Sequence, residues 1–104
     1  MPHFLFAYHG GKMPQTPEQT EQEIGRWRSW FDHIGAAIFN PGNPGGMSKT
    51  VSAAGVSDDG GANPPPGYSI IHTKSIDQAI ELAKACLIIS DGSIEVAEIQ
   101  EVPA

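Results

Sequence analysis

Gly67-Tyr-Ser-Ile-Ile-His-Thr-Lys-Ser-Ile-Asp-Gln-Ala-Ile-Glu-Leu-Ala-Lys-Ala-Cys86, followed by Gly92-Ser-Ile-Glu-Val-Ala-Glu-Ile99, reads as strand, capped helix and strand. Tyr68 to Thr73 is rich in β-branched and aromatic types, as a half-buried strand requires. Ser75-Ile-Asp-Gln78 has the spacing of a capping box, in which Ser75 and Gln78 satisfy backbone donors at a helix start. Ile76, Ala79, Leu82, Ala83 and Cys86 then recur at three- and four-residue spacing, the stripe of an amphipathic helix. Asp91-Gly92 turns the chain into a final strand from Ser93 to about Gln100.

Working outward, the first half repeats the unit. His3 to His9 is a run of aromatic and apolar residues stopped by Gly10-Gly11, a first strand. Thr16-Pro17-Glu18-Gln19 offers a cap, a proline where its missing N–H costs nothing, and a second capping box. Ile24, Trp27, Phe31, Ile34 and Ile38 form one stripe, so the periodicity predicts a helix from about Pro17 to Phe39. Gly25 and Gly35 each cost that helix about 1 kcal/mol relative to alanine, which points to close backbone approach or to a boundary near Gly35. Asn40-Pro-Gly-Asn-Pro-Gly-Gly46 cannot continue it. Ser48 to Ala54 reads as a weak second strand of small residues, and Gly55 to Gly67 as a long loop.

The order β-α-β-β-α-β predicts an α+β fold, a ferredoxin-like four-stranded antiparallel sheet with both helices on one face. Strands one, three and four carry apolar residues at both parities, for example Phe4 and Phe6 beside Leu5 and Ala7, and Ile70 beside Ile71. An antiparallel sheet with one wet face alternates more cleanly. The expected resolution is a homodimer that packs open sheet faces together as a dimeric α+β barrel.

The 104 residues are enough for a single domain, residues 1–104, and one modest core. Formal charge is −6, from 12 acidic and 6 basic residues, with no basic stripe. This argues against nucleic acid and against an anionic membrane surface as partners. The single cysteine, Cys86, excludes an internal disulfide and fits a reducing compartment. Met1 to His9 lacks the basic start and cleavage site of a signal peptide, and no apolar run approaches the ~20 residues of a spanning helix. A cytoplasmic location is expected.

Chemistry is carried by few residues. Histidine is the usual general base near neutral pH, and four are present. His9 ends the first strand, where it opens onto a cleft, and is a candidate catalytic residue with Asp32 and His72. Since strands one and three run antiparallel, His9 and His72 are expected at opposite edges of the sheet. Asp32 and His33 are adjacent on a helix and do not face each other. Trp27, Lys49 and Tyr8 are candidate substrate-binding residues, the lysine for an anionic group. The alternative for each is a core or surface role. Cys86 sits at a helix C-terminus on the buried stripe, the wrong end of the dipole for a reactive thiolate. No histidine pair has zinc-ligand spacing, and no glycine loop has a phosphate-binding pattern, so no metal and no cofactor are expected.

Three segments carry a resemblance: Trp30-Phe-Asp-His-Ile-Gly-Ala-Ala-Ile-Phe-Asn-Pro-Gly-Asn-Pro44, the pair Gly67-Tyr-Ser-Ile-Ile71 and Ser75-Ile-Asp-Gln-Ala-Ile-Glu-Leu-Ala83, and Gly92-Ser-Ile-Glu-Val96. In these the chain resembles the YCII-related (DGPF-type) family of small bacterial proteins. The resemblance implies a ferredoxin-like fold, usually dimeric, and a His–Asp pair in a cleft of the kind proposed for some relatives. Related dimeric barrels include lactone isomerases, dehalogenating enzymes and monooxygenases. The chain departs from the family where Leu87 follows Cys86 in place of proline, and where Asp58-Asp-Gly-Gly61 stands instead of Asp-Gly-Pro-Phe. Two functional readings follow: a small lyase, isomerase or dehalogenase-like enzyme with a histidine acid/base, and a non-catalytic dimer that binds a small ligand.

Overall fold

The computed structural model describes residues 1–10, 15–43, 49–57 and 67–100. Strand β1 (His3–Gly10) leads to helix α1 (Pro17–Ile34), a single 3-10 turn (Gly35–Ala37) and the short strand β2 (Ile38–Asn40). A hairpin of β3 (Thr50–Ser52) and β4 (Gly55–Ser57) follows. Then come β5 (Gly67–His72), helix α2 (Ile76–Lys84), a 3-10 turn (Leu87–Ser90) and β6 (Gly92–Glu98). The protein is α+β, with a four-stranded sheet ordered β2-β5-β1-β6 in which every neighbouring pair is antiparallel. Each helix therefore joins two strands that run the same way with one strand between them.

Both helix starts follow the capping logic of the sequence. Thr16 Oγ1 accepts from the Gln19 amide at 3.1 Å, and Ser75 Oγ accepts from the Gln78 amide at 3.2 Å. The glutamines reach back one residue beyond the cap: Gln19 Oε1 accepts from the Gln15 amide at 2.8 Å and Gln78 Oε1 from the Lys74 amide at 3.1 Å. Each box thus satisfies a donor in the approach to the helix as well as one in its first turn.

Helix α1 ends earlier than its periodicity predicts. Gly35 has φ +46°, and its N–H donates to the Phe31 carbonyl, closing the helix at Ile34. Only glycine takes such a conformation cheaply. Ile38 and Phe39, expected as the last helical turn, instead form the edge strand β2 against Ile70 and Ile71. Of the stretch expected as the second strand of the sheet, Ser48 to Ala54, the described part forms a separate hairpin: Thr50–Ser52 pairs with Gly55–Ser57, and every residue of that hairpin is exposed. Side-chain area explains the exchange, since Ile38 and Phe39 offer apolar surface where Thr50, Val51 and Ser52 offer little. Ser48 and most of the long loop expected after Gly55 lie outside the described residues.

The core lies between the sheet and both helices. Phe4, Phe6, Tyr8 and Ile71 from the sheet meet Trp30 and Ile34 of α1, Ala79 and Ala83 of α2, and Cys86 and Ile88 beyond it. The α1 stripe is rotated from the one read in the sequence: Trp30 is buried and Trp27 and Phe31 half-buried, whereas Ile24 is 47% exposed. Trp30 also ties the helices together, its indole Nε1–H donating to the Leu82 carbonyl at 3.0 Å. Burial along β1 alternates from His3 to Tyr8, even residues facing the helices and odd residues facing away, and His9 on the outer face is buried as well. The face away from the helices is apolar. Leu5, Ala7 and Ile70 are half-buried there, and Phe39 is 60% and Tyr68 40% exposed.

Candidate functional site

His9 is brought to the end of β1 by a register that the two glycines close. Gly10 is opposite Gly92, with φ +72° and only 3.3 Å between an added Cβ and the Gly92 Cα, so the strand ends can approach there. His9 is then opposite Ser93, and Ala7 opposite Glu95. His9 and Glu95 share a face one diagonal step apart, within reach of long side chains. The imidazole Nε2 lies 3.2 Å from Glu95 Oε1.

The two partners differ in environment. The His9 side chain is 8% exposed and the Glu95 side chain 70%. His9 Nδ1 is buried and, alone among the described buried side-chain polar atoms, has no hydrogen-bond partner. In the tautomer that keeps the proton on Nε2, beside the carboxylate, Nδ1 carries a lone pair that meets no donor among the described residues. A buried acceptor without a partner costs about 1–3 kcal/mol.

The other sequence candidates fall in separate places. His72 is opposite His3 at the far end of the sheet, about 20 Å along the strand from His9 by the strand rise. Its Nε2 lies 2.8 Å from the Ala36 carbonyl, and its ring stacks with His3 at 5.8 Å and packs against Phe39. Asp32 is exposed on α1, and Lys49 is exposed ahead of the β3–β4 hairpin.

Tyr8 and Trp27 come together, but in the core beneath the helices. Their rings meet edge to face at 5.0 Å. The Tyr8 hydroxyl donates to Ser69 Oγ at 2.7 Å, and Ser69 donates to the Pro41 carbonyl at 2.6 Å. Burial pushes the Tyr8 phenol well above the ordinary tyrosine range, against the lowering effect of the Ser69 bond. It stays a protonated donor. The Pro41 carbonyl is held in place by the turn that follows, where the Gly42 amide donates to Asn40 Oδ1 at 2.9 Å. Burial likewise raises the Cys86 thiol to about 11, only partly offset by the backbone amides of Ile88 and Leu87 and by Arg26. That thiol is not a nucleophile near neutrality.

Glu95 was not among the residues singled out from the sequence. Its signal is the pairing of two glycine stops: once Gly10 faces Gly92, an antiparallel register sets Glu95 diagonal to His9. Among the described residues no cluster of three or more His, Cys, Asp or Glu could hold a metal ion, and no helix is long and apolar enough to cross a membrane. No protein-family model matches the chain, and no curated protein is significantly similar to it.

Proposed function

We propose that this protein is a small dimeric enzyme of the YCII type that moves a proton on a small organic substrate, with His9 as acid/base and Glu95 as the group that orients it. The carrying observation is the buried His9 imidazole, with Nε2 3.2 Å from the Glu95 carboxylate and Nδ1 without a partner. A carboxylate on one ring nitrogen fixes the tautomer that leaves the other as a base, and it stabilises the imidazolium formed on proton uptake. Lyase, isomerase or dehalogenase-like chemistry needs that step at a carbon or oxygen near a carbonyl. Cys86 and Tyr8, each held protonated by burial, are spectators in this reading.

The strand order β2-β5-β1-β6 with two interleaved strand–helix–strand crossovers supports the ferredoxin-like reading. The apolar face formed by Leu5, Ile70, Tyr68 and Phe39 supports a homodimer closed through that face, as a monomer would leave it in water.

A non-catalytic ligand-binding dimer is the second reading, favoured by the exposure of Glu95. A hydrated carboxylate holds an imidazole weakly, and an unpaired Nδ1 serves equally to receive a ligand's hydrogen bond. Solvent-deuterium incorporation into a panel of lactones, β-keto acids and chlorinated hydroxy acids separates the two. Exchange by the wild type that disappears in His9→Gln, with the dimer intact, supports the enzyme. Exchange that persists in His9→Gln removes His9 from the mechanism, and binding without exchange supports the second reading.

A further inference from the structure

A groove of about 830 Å³ runs along α1 on the flank of its core-facing side, and His9 is not among its lining residues. One wall is the α1 face made by Gln22, Gly25, Arg26, Ser29, Trp30 and His33, and the other is the chain leaving α2 at Ala85 and Leu87. It is shallow and largely open to solvent.

Charge distinguishes this groove from the rest of the molecule. The chain carries 12 acidic residues and a formal charge of −6, yet among the described residues neither Asp nor Glu lines the groove. Arg26, Ser29 and His33 stand at positions i, i+3 and i+7 of α1, a row of hydrogen-bond donors along one helix face. The guanidinium offers a forked donor that matches a carboxylate, and a histidine ring has an N–H to donate in either protonation state. The half-buried Leu87 supplies apolar surface beside that row, and the edge of the buried Trp30 forms its floor.

Gly25 gives an independent reason to regard the groove as built. Glycine is the poorest helix former apart from proline, and it stands mid-helix in α1. Close packing, one of the two sequence explanations for it, does not hold: a Cβ at Gly25 would meet no atom within 4 Å. Its backbone is not in the left-handed region either, so conformation does not demand it. Gly25 lines the groove, and its missing side chain leaves open space there. Such a trade of helix stability for access is expected where a surface has a use.

We infer that this groove binds a small organic anion with an aromatic or branched apolar body, its carboxylate held between Arg26 and Ser29 and its body lying against Leu87 and the open backbone at Gly25. The inference does not involve His9 and stands apart from the acid/base reading.

Titration of the ¹⁵N-labelled protein with 1-naphthoate, followed by amide and indole NMR, tests it, with neutral 1-naphthalenemethanol as the control. Saturable shifts are expected at the amides of Gly25, Ser29 and Ala85 and at the Trp30 indole, with the alcohol binding much more weakly. Loss of one charged, forked contact in Arg26→Gln should weaken binding roughly tenfold. Gly25→Ala should raise the melting temperature yet weaken binding several-fold, so a defect there cannot be ascribed to unfolding. Shifts that map elsewhere, equal binding of the alcohol, unchanged affinity in Arg26→Gln, or full affinity in Gly25→Ala would each overturn the assignment.

Discussion

Gly42 lies directly against the carbonyl of Tyr68: a Cβ added at Gly42 would stand 1.8 Å from that oxygen, at a backbone φ of +73°. The contact docks the exit of β2 onto the start of β5, reinforced by the Tyr68 amide donating to the Asn43 carbonyl at 3.3 Å. It also positions the Pro41 carbonyl that receives the Tyr8–Ser69 hydrogen-bond chain.

Gly42→Ala should therefore be severely destabilising, since it forces both a left-handed residue with a Cβ and a backbone overlap. A loss of more than about 2 kcal/mol is expected in urea unfolding, against a fraction of that for an exposed loop glycine. A near-neutral result would mean that the turn shifts freely and does not lock β2 to β5.

Trp30→Phe tests the joint between the helices. It removes the Nε1–H bond to Leu82 and part of a fully buried ring, but the Leu82 carbonyl keeps the Ala85 amide as a donor at 3.3 Å. The expected cost in thermal or urea unfolding is about 1–3 kcal/mol, with the fold retained.

Alkaline pH should unfold the protein through Cys86 and Tyr8. The native state raises the Cys86 pKa from 9.0 to about 11, so the folded chain holds a proton that the unfolded chain releases. Stability from this group is complete below 9.0, the unfolded value, and is lost as pH rises toward 11. The slope approaches about 1.4 kcal/mol per pH unit per group. Tyr8, raised in the same direction, adds its loss at higher pH. Cys86→Ala should flatten the decline between pH 9 and pH 11 in melting experiments, and an unchanged decline would assign it to other groups.

Ile70→Glu places a charge at the middle of the sheet face turned away from the helices. Sedimentation velocity should show a dimer for the wild type at micromolar concentration and a folded monomer for the variant. A wild type that stays monomeric would contradict pairing through this face.

Much of this fold was legible in the sequence, and the exceptions share a cause. The capping boxes at Thr16 and Ser75, the α2 stripe and the strands His3 to Gly10 and Gly67 to His72 follow from local chemistry, and they appear within a residue or two of expectation. The second strand of the sheet did not, because choosing Ile38–Asn40 over Thr50–Ser52 depends on which segment can cover Ile70 and Ile71. Helical spacing carried Ile38 into the α1 pattern, whereas Gly35 in the left-handed region cut the helix short. At the candidate site His9 was legible from its place before two glycines. Glu95 was not, since a diagonal neighbour across strands exists only once the register is known. Trp27 and Tyr8, expected from the sequence as substrate-binding residues along with Lys49, meet edge to face at the core, Tyr8 buried and Trp27 half-buried.

The acid/base account requires His9 to be a neutral imidazole with its proton on Nε2, hydrogen-bonded to Glu95, and a free lone pair on Nδ1. Long-range ¹H–¹⁵N correlation of the histidine rings in the folded protein measures this without knowledge of a substrate. The expected spectrum assigns the His9 proton to Nε2, with Nδ1 at a pyridine-like shift, and shows the Nε2 resonance moving in Glu95→Gln. A proton on Nδ1, or a His9 ring indifferent to the loss of the Glu95 charge, would contradict the account.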